Sequence, residues 1–287
     1  MSAAGDFLAG MAASSRARSS AAQAALPARE LRAQIADLPA APKLRLSHFD
    51  LIAEVKLRSP AVGLLKAAAE EDVGARVATY ARAGAAAVSI LTEPTRFDGS
   101  LEDLQKGCRA LAPLAVPAMR KDFLVDGYQV LEGRLAGASG ILAILRMLPR
   151  TELEGLIDTA LSLDMFVLLE AFDLADIELA RMLLDARRPH RDLLLVGVNS
   201  RDLVTLKVVP GRLDELASAL PTEVRRVAES GVATAADAAR VAAAGYDLAL
   251  VGSALMSAAD PATLAGAMLA QGRAAVMARA ATAGVGA

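Results

Sequence analysis

The sequence predicts an α/β protein built as a single (β/α)8 TIM barrel, with an N-terminal helical extension over residues 1–45, partly mobile, and the barrel catalytic domain over residues 46–287. Three observations carry that expectation. From about residue 50 onward, short apolar runs alternate with longer alanine-rich stretches of helical periodicity, as βα units do. Eight such runs occur in succession, and no glycine-rich dinucleotide loop follows the first, which favours a closed barrel over an open doubly wound sheet.

The predicted strands are Leu51 to Val55, Ala86 to Ile90, Val116 to Met119, Gly140 to Ile144, Phe166 to Leu169, Leu194 to Val198, Arg226 to Ala228 and Leu248 to Val251. Their interiors are almost continuously apolar, as parallel strands covered on both faces require, and the intervals leave room for crossover helices. The helical stretches carry apolar residues three or four apart, as in Leu153, Leu156, Ile157, Ala160 and Leu161, with Glu152, Glu154 and Asp158 between them. Gly84, Gly137 and Gly245 each follow such a stretch and precede a strand, at the place where a positive φ ends a helix. The first 45 residues are rich in Ala, Ser and Arg, yet Asp6, Glu30 and Asp37 argue against an organellar transit peptide and for a capping helix.

Composition narrows the chemistry. At 287 residues and 54% hydrophobic the chain can bury one large core, and a formal net charge of −2 gives no broad positive field for nucleic acid. Charged residues interrupt every apolar stretch before membrane-spanning length, so a cytoplasmic protein without membrane contact is expected, as a monomer or weak homo-oligomer. The single cysteine, Cys108, has no internal partner, and no Cys/His cluster has zinc-ligand spacing, so no metal is expected. With only His48 and His190 in the chain, proton transfer falls to carboxylates and lysines.

In a barrel of this kind the active site forms at the C-terminal ends of the strands. Polar residues there are Glu54 and Lys56 with Ser59 and Pro60 behind, then Glu93, Arg120 to Asp122, Glu170, Asn199 with Arg201, Glu229 to Gly231, and Gly252 with Ser253. Glu54 and Lys56 are two apart and share a strand face. If that face is the interior, opposite charges from other strands must meet them, because unpaired burial is costly. Glu54, Lys56, Lys121 and Glu170 meet that need, either as reaction machinery or as a stabilising ion-pair network. A lysine amid other cations would have a lowered pKa and release its proton near neutral pH. The turns at Ser230, Gly231, Gly252 and Ser253 fit phosphate held by backbone N–H groups at a helix start after strands seven and eight.

These residues fall in stretches that resemble the indole-3-glycerol phosphate synthase family. The most specific is Ile52-Ala53-Glu54-Val55-Lys56-Leu57-Arg58-Ser59-Pro60. Leu91-Thr92-Glu93-Pro94 with Phe97-Asp98-Gly99-Ser100, Arg120-Lys121-Asp122-Phe123, Gly197 to Leu203, Ala228-Glu229-Ser230-Gly231 and Val251 to Met256 agree in order, across roughly residues 50 to 262. The resemblance implies cofactor-free and metal-free chemistry on a small phosphorylated molecule. That substrate, 1-(2-carboxyphenylamino)-1-deoxyribulose 5-phosphate, undergoes ring closure, decarboxylation and dehydration in tryptophan biosynthesis.

By the same resemblance Lys121 is the general acid that protonates the carbonyl oxygen, and Glu170 moves a proton at dehydration. Lys56 holds the substrate carboxylate and shares the acid work, and Glu54 and Asn199 orient groups around the reacting carbons. Arg201 and Glu229 complete the polar wall. Ser59, Pro60, Phe97, Phe123, Leu142 and Ile144 enclose the anthranilate ring, and Ser230, Gly231, Gly252 and Ser253 take the phosphate. The chain departs from the family where Ala61 and Val62 follow Ser59-Pro60 in place of a second serine and a lysine or glycine, and where the N-terminal segment lacks a Lys/Glu-rich helix. These departures keep open a relative acting on a related aromatic sugar phosphate, or a non-catalytic barrel that binds phosphorylated metabolites.

Overall fold

In the computed structural model, which describes residues 3–67, 71–203 and 205–284, eight parallel strands close into one barrel. They are β1 (Asp50–Val55), β2 (Ala87–Leu91), β3 (Ala118–Lys121), β4 (Gly140–Ile144), β5 (Phe166–Ala171), β6 (Leu194–Asn199), β7 (Arg225–Glu229) and β8 (Leu248–Val251). Each pairs with its sequence neighbour, and β8 returns to pair with β1 through Asp50 to Ala53. Helices α3 (Val73–Arg82), α4 (Leu101–Leu111), α5 (Gly127–Leu135), α6 (Arg150–Leu161), α7 (Leu174–Ala186), α8 (Arg212–Ala217), α9 (Ala235–Ala244) and α10 (Ser253–Ser257) follow the successive strands, and α11 (Pro261–Gly284) packs along α9.

The period-two alternation of each strand divides the apolar residues into two populations. Ile52, Met119, Leu142, Phe166, Leu168 and Leu195 fill the barrel interior, whereas Val88, Ile90, Val167, Leu169 and Val196 face outward into the helical ring. On α6 the buried face is made by Leu153, Leu156, Ile157, Ala160 and Leu161, the residues the periodicity selects. Gly84, Gly137 and Gly245 all take positive φ after their helices. Five of the βα connections end on a residue whose side chain caps the next helix: Asp72, Ser100, Asp126, Asp173 and Thr234 each accept a hydrogen bond from a backbone N–H in the first turn.

Several strand boundaries differ from the sequence expectation. The third strand lies at Ala118–Lys121, two residues later than predicted. Pro117 has no N–H to give a ladder and contributes only its carbonyl, to Val88 N, so pairing begins beyond it. Strands β5, β6 and β7 extend to include Glu170, Asn199 and Glu229, whose backbones are paired even though their side chains are polar.

The extension forms two helices, α1 (Ala3–Ala25) and α2 (Ala28–Ala36), broken at Pro27, whose ring cannot continue a helix. Leu31 and Ile35 of α2 pack on Tyr128 and Leu131 of α5, and the Tyr128 hydroxyl donates to the carbonyls of Ala22 and Leu26. Arg18 of α1 reaches Asp122, just beyond β3, through two hydrogen bonds of 2.7 and 3.0 Å. Asp122 also accepts from Arg120 Nη2 and the Thr92 hydroxyl, so one buried carboxylate joins α1, β2 and β3. Burial opposes the charged form of Asp122, but the bonds and charges of Arg18 and Arg120 outweigh it and hold the carboxyl below its ordinary pKa.

Asp122→Ala leaves Arg18 without its carboxylate, while Arg120 keeps Glu132, the Gln129 carbonyl and Thr92, and α1 keeps Arg16–Glu152 and Ser19–Asp126, so the expected cost is about 1–3 kcal/mol. Urea unfolding measures this directly, and a loss below about 0.5 kcal/mol would show that the Asp122 bonds contribute no more than an exposed pair.

Candidate active site

A closed parallel barrel has two ends, and the alternation that sends Ile52, Met119 and Leu168 inward sends Glu54, Lys121 and Glu170, two residues further along each strand, inward at the C-terminal end. There they border a cavity of about 310 Å³. Every residue given a site role lines it; Glu93 and Arg120, also at strand ends, do not, Glu93 accepting from Thr95 and Arg96 of its own loop and Arg120 bonding Thr92, Asp122 and the Gln129 carbonyl. Glu54, Lys56, Lys121, Glu170, Asn199, Arg201 and Glu229 form its polar floor; Ser59, Pro60, Phe97, Phe123, Leu142 and Ile144 form one wall; Ser230, Gly231, Gly252 and Ser253 lie along the final two loops.

The floor is a compact array of unlike charges. Lys56 Nζ donates to Glu54 Oε1 at 2.6 Å, and Lys121 Nζ stands 3.7 Å from both Glu170 Oε1 and Glu229 Oε2. Asn199 Nδ2 donates to Glu170 Oε1 at 2.8 Å, while Asn199 Oδ1 accepts from the Arg201 backbone at 2.9 Å, so the amide orientation is fixed from both sides. The three carboxylates are all at least nine-tenths buried.

Burial and charge compete at each group. For Glu54, desolvation favours the neutral form, but the ammonium groups of Lys56 and Lys121, the hydrogen bond from Lys56 and the charge of Arg201 prevail, and its carboxyl titrates below the ordinary value. For Glu229, desolvation and the adjacent Glu170 carboxylate act together and outweigh Lys121, so its carboxyl is pushed well above the ordinary range. For Lys121, desolvation would release the proton, yet Glu170, Glu229 and Glu54 bind it more firmly. This corrects the sequence expectation of a lysine among cations with a lowered pKa: its close neighbours are carboxylates, and it rests as a charged ammonium.

Two glycines make room for the acids. A Cβ at Gly197 would overlap Glu229 Oε1, and one at Gly252 would overlap Glu54 Oε1 and crowd Lys56 Nζ. Gly197 was legible as an isolated glycine inside an apolar strand, a pattern that marks close approach. Phe7 was not: it reaches the cavity from α1 and meets the Phe123 ring edge-on, with centroids 5.9 Å apart. Leu203, Leu206 and Val208, beyond β6, also line the cavity. At the final two loops the expectation of a helix start holds only after β8, where α10 begins at Ser253; after β7, residues 230–234 intervene before α9, with Ser230 and Gly231 both at positive φ.

The family described as indole-3-glycerol phosphate synthase matches residues 10–267. The chain belongs to the indole-3-glycerol phosphate synthase family. The indole-3-glycerol phosphate synthase of Parafrankia sp. is 42% identical over 218 residues, covering 76% of each chain. That of Dehalococcoides mccartyi is 37% identical over 240 residues, covering 82% of this chain and 89% of its own. Among solved structures, 3-hexulose-6-phosphate synthase from Salmonella typhimurium superposes with a TM-score of 0.57 at 15% identity, over 80% of this chain and all of that one, a likeness of fold.

Two outcomes follow from the acid cluster. Because the pKa of Glu229 is raised by folding, its contribution to stability is full below the ordinary carboxylate pKa and fades as pH rises through the folded value. Glu229→Gln, which keeps the neutral shape, is therefore expected to match the parent near pH 4 and to exceed its Tm at pH 8 by about 2–4 °C, the scale of 1 kcal/mol in a chain this size; equal melting curves at both pH values would contradict the raised pKa of Glu229. Gly197→Ala must displace Glu229 or the strand, and is expected to lower stability by about 1–3 kcal/mol, as overpacking does; denaturant titration of the purified variant checks it.

Proposed function

We propose that this chain is an indole-3-glycerol phosphate synthase, a carboxy-lyase of tryptophan biosynthesis that converts 1-(2-carboxyphenylamino)-1-deoxyribulose 5-phosphate to indole-3-glycerol phosphate, working in the cytoplasm as a monomer or weak homo-oligomer. The observation that carries the reading is the charged Lys121 ammonium, set among Glu54, Glu170 and Glu229 in a cavity that the apolar cluster of Phe97, Phe123, Leu142 and Ile144 also lines.

The roles follow from position. The aromatic ring sits against the apolar wall, where water is excluded and the charges below it act at short range without solvent screening. Lys56 meets the ring carboxylate, aimed by its hydrogen bond to Glu54. Ring closure joins the ring carbon that bears the carboxylate to the sugar carbonyl carbon. The carbonyl oxygen gains negative charge and takes a proton from Lys121; loss of CO2 then restores aromaticity. In dehydration Lys56, released when CO2 departs, gives a proton to the new hydroxyl, which leaves as water, and Glu170, steadied by Asn199, accepts the proton released from the adjoining carbon; solvent reprotonates the lysines. Arg201 and Glu229 shape the polar wall. The phosphate lies along Ser230, Gly231, Gly252 and Ser253, where glycine lets backbone N–H groups approach.

Among the described residues, no group of three or more His, Cys, Asp or Glu is arranged to hold a metal, and no helix is long and apolar enough to cross a membrane. The first loop supplies the case for a second reading, a related aromatic sugar phosphate as substrate. Ala61 lines the cavity, and Val62 and Leu64 expose 61% and 56% of their surface at its edge, an apolar rim where a more polar one is usual in the family.

The deciding assay incubates the purified enzyme with the anilino-sugar phosphate and follows indole fluorescence, with a chelator present and no nucleotide added. Product is expected to form at an undiminished rate, and absence of a fluorescence gain rejects the reading in favour of a binding barrel or the related substrate. Lys121→Met and Glu170→Gln are each expected to lower kcat by about a hundredfold or more, the range for a positioned acid or base. Near-parental turnover in either variant would reassign that residue.

A further inference from the structure

Strand β2 carries one polar residue into the barrel that neither the fold nor the proposed chemistry explains. Ala87, Ser89 and Leu91 share its inward face: Ala87 belongs to the interior cluster with Ile52 and Met119, Leu91 lines the cavity, and the intervening Val88 and Ile90 pack outward. Ser89 is fully buried, and its hydroxyl has no hydrogen-bond partner. A buried hydroxyl in that condition is rare and asks for a reason.

The register supplies one. Ser89 is paired with Glu54 on β1 and with Met119 on β3. Registered residues on neighbouring parallel strands send their side chains to the same side, so Ser89 faces one thioether, which is a weak acceptor, and one carboxylate, which is a strong one. That carboxylate has its own orphan: Glu54 Oε1 is taken by Lys56, but Glu54 Oε2 is buried and accepts nothing. Two unpartnered oxygens, one able to donate and one able only to accept, therefore belong to adjacent positions on the same interior face.

We propose that Ser89 is a positioning residue for the reaction, its hydroxyl donating to Glu54 Oε2, directly or through one bound water, and fixing the rotation of that carboxylate. The inference rests on the reading that Glu54 serves catalysis. The need for a second anchor follows from the site: Lys56 Nζ has donors to share between Glu54 Oε1 and the substrate carboxylate, so as it turns toward the substrate the Glu54 carboxylate is drawn to rotate with it. A carboxylate also held at Oε2 keeps its aim, whereas one held only by Lys56 would follow the ammonium. Ser89 lies below the cavity floor and does not line the cavity, so it acts through Glu54.

The other titratable groups around Glu54 are Lys56 at the end of its own strand, Lys121 on β3, Arg201 beyond β6, Glu229 on β7 and Tyr80 on α3. All of them remain in a Ser89 variant, so a shift in the pH profile on removing the hydroxyl reports the lost donor.

The test compares Ser89→Ala, Ser89→Thr and Glu54→Gln by steady-state kinetics from about pH 3 to pH 9, a range that includes the region below the ordinary carboxylate pKa where Glu54 titrates, alongside melting curves. In Ser89→Ala, kcat is expected to fall about tenfold, the equivalent of one hydrogen bond to a charged group, with KM changed by less than about twofold. The acidic limb of its kcat profile is expected to move up by about half a pH unit or more, because a carboxylate that loses a donor is easier to protonate. Ser89→Thr, which keeps the hydroxyl, is expected to restore both. A Ser89→Ala enzyme with parental kcat and an unmoved acidic limb overturns the proposal, and so does one whose only change is a lower Tm. Glu54→Gln separates this from the parent reading: if it is inactive while Ser89→Ala is normal, only the role of Ser89 fails, and if it turns over normally, the catalytic assignment of Glu54 fails first.

Discussion

One ammonium, that of Lys121, makes the upper layer of this barrel possible. Three carboxylates, Glu54, Glu170 and Glu229, are buried above an interior of Ile52, Met119, Phe166 and Leu168, a setting that excludes isolated charge. Lys121 stands 3.7 Å from two of them and lowers the pKa of the third at longer range. Even so, its charge does not satisfy all three: Lys56 meets Glu54, and the carboxyl of Glu229 is pushed toward its neutral form. The features nearby that look arbitrary in isolation, such as bare backbone at Gly197 and Gly252 and an amide locked at Asn199, are what such a layer needs in order to fit.

The barrel was legible because its signal is periodic and long. Strand β4 and the buried face of α6 could be read residue by residue, since nothing competes with apolar spacing there. Strand β3 was not, for two opposed reasons: Pro117 reads as part of an apolar run but cannot pair, and Arg120 and Lys121 read as loop although they are paired strand residues. In both cases hydrogen bonding and ion pairing override the local pattern. The same override extends β5, β6 and β7 through Glu170, Asn199 and Glu229.

The residues around the cavity were legible as a set, because strand ends in a closed barrel converge and polar residues there have few other places to go. What the sequence hid was anything decided by long-range packing. Phe7 arrives from a helix whose alanine-rich composition carries no directional signal, and it depends on Arg18 meeting Asp122 more than 100 positions away. The charge state of Lys121 was hidden for the same reason: a list of nearby lysines and arginines does not reveal that the atoms nearest its Nζ are carboxylate oxygens.

The location of the cations has a consequence for how a ligand arrives. Lys56, Lys121 and Arg201 all open onto a recess in a chain whose formal net charge is −2. At physiological ionic strength fields fade over roughly 8 Å, so a doubly anionic visitor is not steered from afar. Attraction begins only at the threshold of the recess, which makes capture a matter of shape first and electrostatics second.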